Sequence, residues 1–160
     1  MFFGKYKHTI DSKGRVIIPS DLREATGEKI EKYGKGPTFY VMPGPGGCVH
    51  LFEEKQFADI VKKQFDLGLV ALQKESELLR KFSSFGARRV CDGQGRIQIP
   101  EELIKYAGLK KDVVFLGLIN RIELWDSETF ESRVSLSLVD FEKLAEELAK
   151  EKTRQEREGG

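Results

Sequence analysis

The chain has 160 residues, a third of them charged, yet 27 Lys and Arg against 26 Asp and Glu leave a net charge of +1. That balance excludes attachment to a polyanion by bulk charge, and 39% hydrophobic residues exclude a solvated, disordered chain, so one compact domain or two small ones is expected. Cys48 and Cys91 match neither a disulfide framework nor a zinc spacing, the N-terminus lacks a signal-peptide core, and no apolar run nears the ~20 residues of a membrane span. A cytoplasmic protein without cofactor or metal is expected.

Phe2 to Ile10 is predicted as a strand. Asp11-Ser12-Lys13-Gly14 follows, with Asp suited to open a type I turn and Gly to the left-handed position that closes a three-residue hairpin loop. At Arg15 the returning strand begins, continuing as the β-branched run Val16-Ile17-Ile18. Pro19 stops it and suits the first position of a short helix, with Leu22 facing inward and Gly27 past the end. Such a helix cannot persist alone, because nucleation is costly below ~12 residues. After the polar stretch Glu28 to Pro37, two strands, Thr38 to Met42 and Cys48 to Phe52, flank the turn Pro43-Gly44-Pro45-Gly46-Gly47. Phe57, Ile60, Val61 and Phe65 then have helical spacing, Gly68 interrupts, and Leu72, Leu78, Leu79 and Phe82 predict a second helix towards Ser83.

Val90 to Gly108 writes Thr9 to Gly27 again at an offset of 81, with seven of nineteen positions identical. The shared residues are Asp11/Asp92, Gly14/Gly95, Arg15/Arg96, Ile18/Ile99, Pro19/Pro100, Leu22/Leu103 and Gly27/Gly108. A strand pair, Val113 to Leu118 and Arg121 to Trp125, completes the second copy at an offset of 73, so a connection has lost eight residues while the strands were kept. Two copies of ~50 residues are each marginal alone, and packing on each other as an intrachain pseudo-dimer resolves that. The expected organisation is a repeat over 5–55, a helical connector over 56–83, a second repeat over 84–128, and a C-terminal helix with a polar tail over 129–160. Leu138, Phe141, Leu144, Ala145 and Leu148 form the apolar stripe of that helix, and the tail from Glu151 is expected to fray.

The opening F-x-G-x-Y-x-H-T-I-D-S-K-G-R-V-I-I-P, the second D-G-Q-G-R-I-Q-I-P and the ending N-R-I-E-L-W together resemble the MraZ family of the SpoVT-AbrB superfamily. The resemblance covers residues 1 to about 132 and rests on two D-x-x-x-R motifs at the family separation. It implies an α+β fold of two tandem swapped-hairpin, double-split β-barrel repeats. It also implies a transcriptional regulator of the division and cell-wall gene cluster, assembled as a ring on repeated promoter boxes. The second motif departs from the fuller pattern, because Gly93 and Gln94 leave Arg96 without a basic neighbour in its turn.

Both hairpins lie in locally basic sequence, residues 1–23 and 76–100 each holding five basic and two acidic side chains. A two-stranded ribbon fits the major groove, where a guanidinium can grip guanine or phosphate through two hydrogen bonds. Arg15 is the leading candidate for contact with double-stranded DNA, with Lys5, Lys7, Ser12 and Lys13 around it and Arg96 and Arg89 on the second copy; Asp11, Gly14, Asp92 and Gly95 shape the turns. A plainer reading stays open, in which Arg15 and Arg96 merely pair with Asp11 and Asp92. His8 reads first as sheet surface and His50 as core. No nucleophile with a spaced base and no phosphate-cradling loop supports an enzyme or a small-molecule substrate. The remaining alternative is an antitoxin-like interaction module without direct DNA contact.

Overall fold

A computed structural model of the chain describes residues 1–31, 36–64, 73–135 and 137–160. Phe65, Gly68 and Leu72 of the expected connector helices lie outside them. The first repeat supplies β1 (Phe2–Thr9), β2 (Arg15–Ile17), α1 (Ser20–Glu24), β3 (Thr38–Gly44) and β4 (Cys48–Glu53). Two connector helices follow, α2 (Glu54–Gln64) and α3 (Gln73–Phe85). The second repeat then gives β5 (Ala87–Val90), β6 (Arg96–Gln98), α4 (Glu101–Ala107), β7 (Asp112–Ile119) and β8 (Ile122–Asp126). α5 (Ser127–Arg133) and α6 (Leu138–Glu158) end the chain.

The strands pair mostly across the repeats. The six-stranded sheet runs β1-β7-β8-β4-β3-β5, and β2 pairs with β6 in a separate ribbon. Thus β1 lies on β7 of the other copy, β5 on β3, and β4 on β8, in an order that reads the same from either edge once the copies are exchanged. The sequence reading of a local hairpin needs correction here. Ile10 and Val16 form a single bridge at the turn, and beyond it the outgoing and returning strands each leave for the opposite repeat. The result is the tandem swapped-hairpin, double-split barrel expected from the resemblance.

Alternation explains the exchange. Val16 and Ile97 meet beneath the ribbon and are almost fully buried, with Ile18, Ile99, Leu22 and Leu103 in the same cluster as Phe2, Phe39 and Phe115. Neither copy alone could cover these side chains, so burial at about 25 cal/mol per Å² favours the interlocked state. Glycine carbonyls lock it further: Ile18 N–H donates to Gly95 O at 3.0 Å and Ile99 N–H to Gly14 O at 2.8 Å.

Two further expectations shift in detail. Pro19 and Pro100 stand one residue earlier than predicted, as N-caps with extended ψ of 138° and 140°. Gly27 and Gly108 take the left-handed conformation, φ 72° and 58°. By backbone contacts the chain forms two compact units, Met1–Ser127 and Glu128–Gly160. In the second, Ser137 and Asp140 form a reciprocal capping box, and α6 runs unbroken to Glu158. The tail past Glu151 is therefore helical rather than frayed, since Glu, Lys, Arg and Gln are good helix formers and no glycine intervenes before Gly159. Its stripe is exposed, Leu138, Phe141, Leu144 and Leu148 included.

Candidate nucleic-acid interface

The two turns are built alike. Asp11 N–H donates to Arg15 O at 3.0 Å and Gly14 N–H to Asp11 O at 3.0 Å, while Gly14 sits at φ 75°. Asp11 Oδ1 accepts from Lys13 N–H and Arg15 N–H, and Oδ2 accepts from Arg15 Nε at 2.7 Å. Asp92, Gln94, Gly95 and Arg96 repeat each bond, with Arg96 Nε 2.8 Å from Asp92 Oδ2. The Arg15 backbone N–H, aided by the guanidinium, holds the Asp11 carboxyl below its usual range. For Asp92 partial burial pushes the other way, and the same bonds from Arg96 and Gln94 overcome it.

The ion pairs of the plainer reading are therefore present, but they engage only Nε. No other side-chain hydrogen bond from Arg15 or Arg96 occurs among the described residues, and both side chains stay partly exposed, at 34% and 27%. The Asp thus braces each guanidinium from behind, leaving its terminal N–H groups for a further acceptor.

Register then joins the two sites. Arg15 pairs with Gln98 and Ile17 with Arg96, while Val16 and Ile97 point into the core. Both arginines consequently share the outer face of one ribbon with Ile17 and Gln98, and Gln98 Nε2 donates to Lys13 O at 3.2 Å. Ser12 and Lys13 are exposed at the first turn. Lys5 and Lys7 lie on the exposed side of β1, opposite the inward Tyr6 and His8. His8 packs edge-on against Phe115, and partial burial pushes its pKa down, in keeping with a sheet residue. Arg89 is tied back to Gln98 O and Arg88 O, and Arg88 pairs with Glu54.

One basic group escaped the sequence reading. A Cβ added at Gly95 would fall 2.6 Å from Cζ of Arg23, so the guanidinium of the first repeat rests on the second turn. At the matching place over Gly14 stands the apolar Ile104. The second turn lacks a basic residue in its own sequence and acquires one from α1 of the other copy. Beside the first turn a groove of about 760 Å³ is lined by Lys13, Lys110 and Lys111.

Interlocked repeats with a braced arginine at each turn define a double-split barrel of the SpoVT-AbrB class. The family model described as "MraZ protein, putative antitoxin-like" matches residues 1–78 and 88–158. Among similar proteins, the transcriptional regulator MraZ of Acetivibrio thermocellus is 37% identical over 150 residues, covering 93% of this chain and 97% of its own. Those of Caldanaerobacter subterraneus and Finegoldia magna are 38% and 36% identical, each covering 92% of this chain and 96% of its own. The chain belongs to the MraZ family, whose similar members are named transcriptional regulators. No helix among the described residues is long and apolar enough to cross a membrane.

Proposed function

We propose that this chain is a sequence-selective, nucleoid-associated DNA-binding regulator that lays the β2–β6 ribbon into the major groove of repeated promoter boxes. The observation that carries this reading is the pairing register, which sets Arg15 and Arg96 on one exposed face. One ribbon, not two separate hairpins, meets each box, and both repeats contribute to it. Arg15 and Arg96 read or grip the groove, while Lys5, Lys7, Ser12, Lys13, Arg89 and Arg23 position the backbone through phosphate contacts. The functional division follows the repeats, 5–55 and 84–128, with 56–83 as connector and 129–160 as C-terminal segment.

A single ribbon binds weakly, so the reading includes a homo-oligomeric ring, in keeping with the exposed apolar stripe of α6. Matching subunits to promoter repeats of the division and cell-wall cluster raises avidity by ~10²–10⁴. The same stripe is what favours the second reading, an assembly module without DNA contact.

Titration of multi-repeat promoter DNA at two salt concentrations tests the proposal. Folded, assembled Arg15→Ala is expected to lose about 10- to 100-fold in affinity, the scale of one lost bidentate base contact. Wild type is expected to show a log-log salt slope near −0.9 per phosphate neutralised. Undiminished binding by Arg15→Ala and Arg96→Ala together would remove the ribbon from the interface, and equal affinity for one box and several would remove the multivalent ring.

A further inference from the structure

At the centre of the large sheet, where β4 of the first repeat meets β8 of the second, His50 and Glu123 are directly opposed. They occupy the same position in the two copies at the offset of 73, so the pseudo-twofold relation itself brings them face to face. His50 Nε2 lies 3.2 Å from Glu123 Oε1, and Trp125 Nε1–H donates to Glu123 Oε2 at 2.8 Å. Cys48 projects from β4 into the same cluster. Its Sγ, an imidazole nitrogen of His50 and a carboxylate oxygen of Glu123 all lie within 4.8 Å of one another.

Three features make this more than a satisfied polar pair. First, the donor set is thiolate, imidazole and carboxylate, the set that zinc-class ions bind at about 2.0–2.3 Å, which requires ligand atoms roughly 3.3–3.8 Å apart around a tetrahedron. The His50–Glu123 separation already fits, and Sγ has to close in by only about an ångström. Among the described residues its hydrogen-bond contact is a weak one, 3.7 Å to Pro45 O. Second, Gly44 clears the space: a Cβ there would fall 2.6 Å from Cys48 Sγ and 2.8 Å from His50 Nε2. Third, among the described residues Arg121 Nε is buried without a hydrogen-bond partner, its 4.0 Å ion pair with Glu123 Oε1 being too long for one. A buried N–H with no acceptor costs on the order of 1–3 kcal/mol, and an oxygen ligand on an ion held by Glu123 would supply one.

We propose that Cys48, His50 and Glu123 bind one zinc-class divalent metal ion across the seam between the repeats, with Arg121 Nε donating to an oxygen ligand in the fourth position. Trp125 orients the carboxylate from the outer shell. His50 and Arg121 also line a neighbouring cavity of about 300 Å³. The thiolate is the ligand form, so metal binding displaces the Cys48 proton and tightens as pH rises. The ion joins ligands from both copies, so it acts as a staple on the interlocked barrel. DNA contact is not required for any part of this.

The test is titration of the metal-stripped full chain with Co²⁺ and Zn²⁺. One ion per chain is expected, with a thiolate-to-cobalt charge-transfer band, tetrahedral visible bands, displacement by Zn²⁺ and a raised thermal midpoint. Cys48→Ser is expected to abolish the charge-transfer band, while Cys91→Ser, which alters the other buried cysteine, leaves it intact. Gly44→Ala keeps all three ligands and is expected to block binding by filling their gap. Trp125→Phe is expected to weaken affinity about 10- to 100-fold, as loss of an outer-shell partner does. Circular dichroism confirms that each variant is folded. Absence of a charge-transfer band in wild type, its survival in folded Cys48→Ser, or its loss in Cys91→Ser overturns the proposal.

Discussion

The two turns, Asp11–Gly14 and Asp92–Gly95, share their backbone and their Asp–Arg brace but not their other side chains or their neighbours. Their internal bonds agree within about 0.1 Å, and their glycines sit at φ 75° and 77°. Yet one carries Ser12 and Lys13 while the other carries Gly93 and Gln94, and one is backed by Ile104 while the other is backed by Arg23. Backbone geometry is thus specified within five residues, whereas the charge a turn presents is a property of the whole barrel. A turn that reads as neutral in the chain becomes basic in space.

The most severe way to break the comparison is to ask whether the repeats stand apart. Phe115 belongs to β7 of the second copy and is fully buried beside Phe2 and Phe39 of the first. Phe115→Ala is expected to cost about 3–5 kcal/mol, and urea unfolding followed by probes in either repeat should show one transition. Two separated transitions would mean that the copies fold independently.

The glycines sharpen it at a finer scale. Gly14→Ala and Gly95→Ala each force a left-handed residue, expected to cost ~1–2 kcal/mol in thermal or chemical denaturation. They should diverge in DNA binding, because the methyl at Gly95 displaces the Arg23 guanidinium and the one at Gly14 meets Ile104 Cδ1. Only Gly95→Ala should shrink the salt slope, by roughly the 0.9 that accompanies one phosphate contact. Arg23→Ala should reproduce that loss without the stability cost of the strained backbone, and Arg23→Lys should restore it.

The smallest effect is the response to acid. Both turn carboxyls are held below their ordinary values, so the stability they contribute is present above the unfolded-state pKa of ~3.9 and is lost as pH falls through the folded values. Proton resonances of the Arg15 and Arg96 Nε–H groups, followed by NMR down the acid limb, should shift together with their own aspartates. Asp11→Asn should remove the first titration and leave the second.

Much of the candidate interface was legible because its signals are local. Asp, Gly and Arg at fixed spacing define the turn through side chain to backbone bonds a few residues apart, and duplication made the pattern hard to mistake. Arg23 was not legible, since nothing in Ser20–Glu24 says which turn the helix will cover. The Cys48, His50 and Glu123 cluster was hidden by linear spacing, with His50 and Glu123 73 positions apart. The signal that could have found it was symmetry, because residues at equivalent positions of a pseudo-dimer can meet at its axis. In α6 the polar tail read as frayed, although its composition already favoured helix once a cap had started it.

By itself the sequence determined the turns, the alternation that buries Val16 and Ile97, the glycines that follow the two short helices, and the family. These follow from dihedral preferences and bonds between near neighbours. Tertiary structure alone decided that β2 pairs with β6 and β1 with β7, and hence that two distant arginines share one face. A strand's residues show that it needs a partner and which side it buries. They do not show which partner, because that choice depends on closing the barrel around a core that neither repeat can cover.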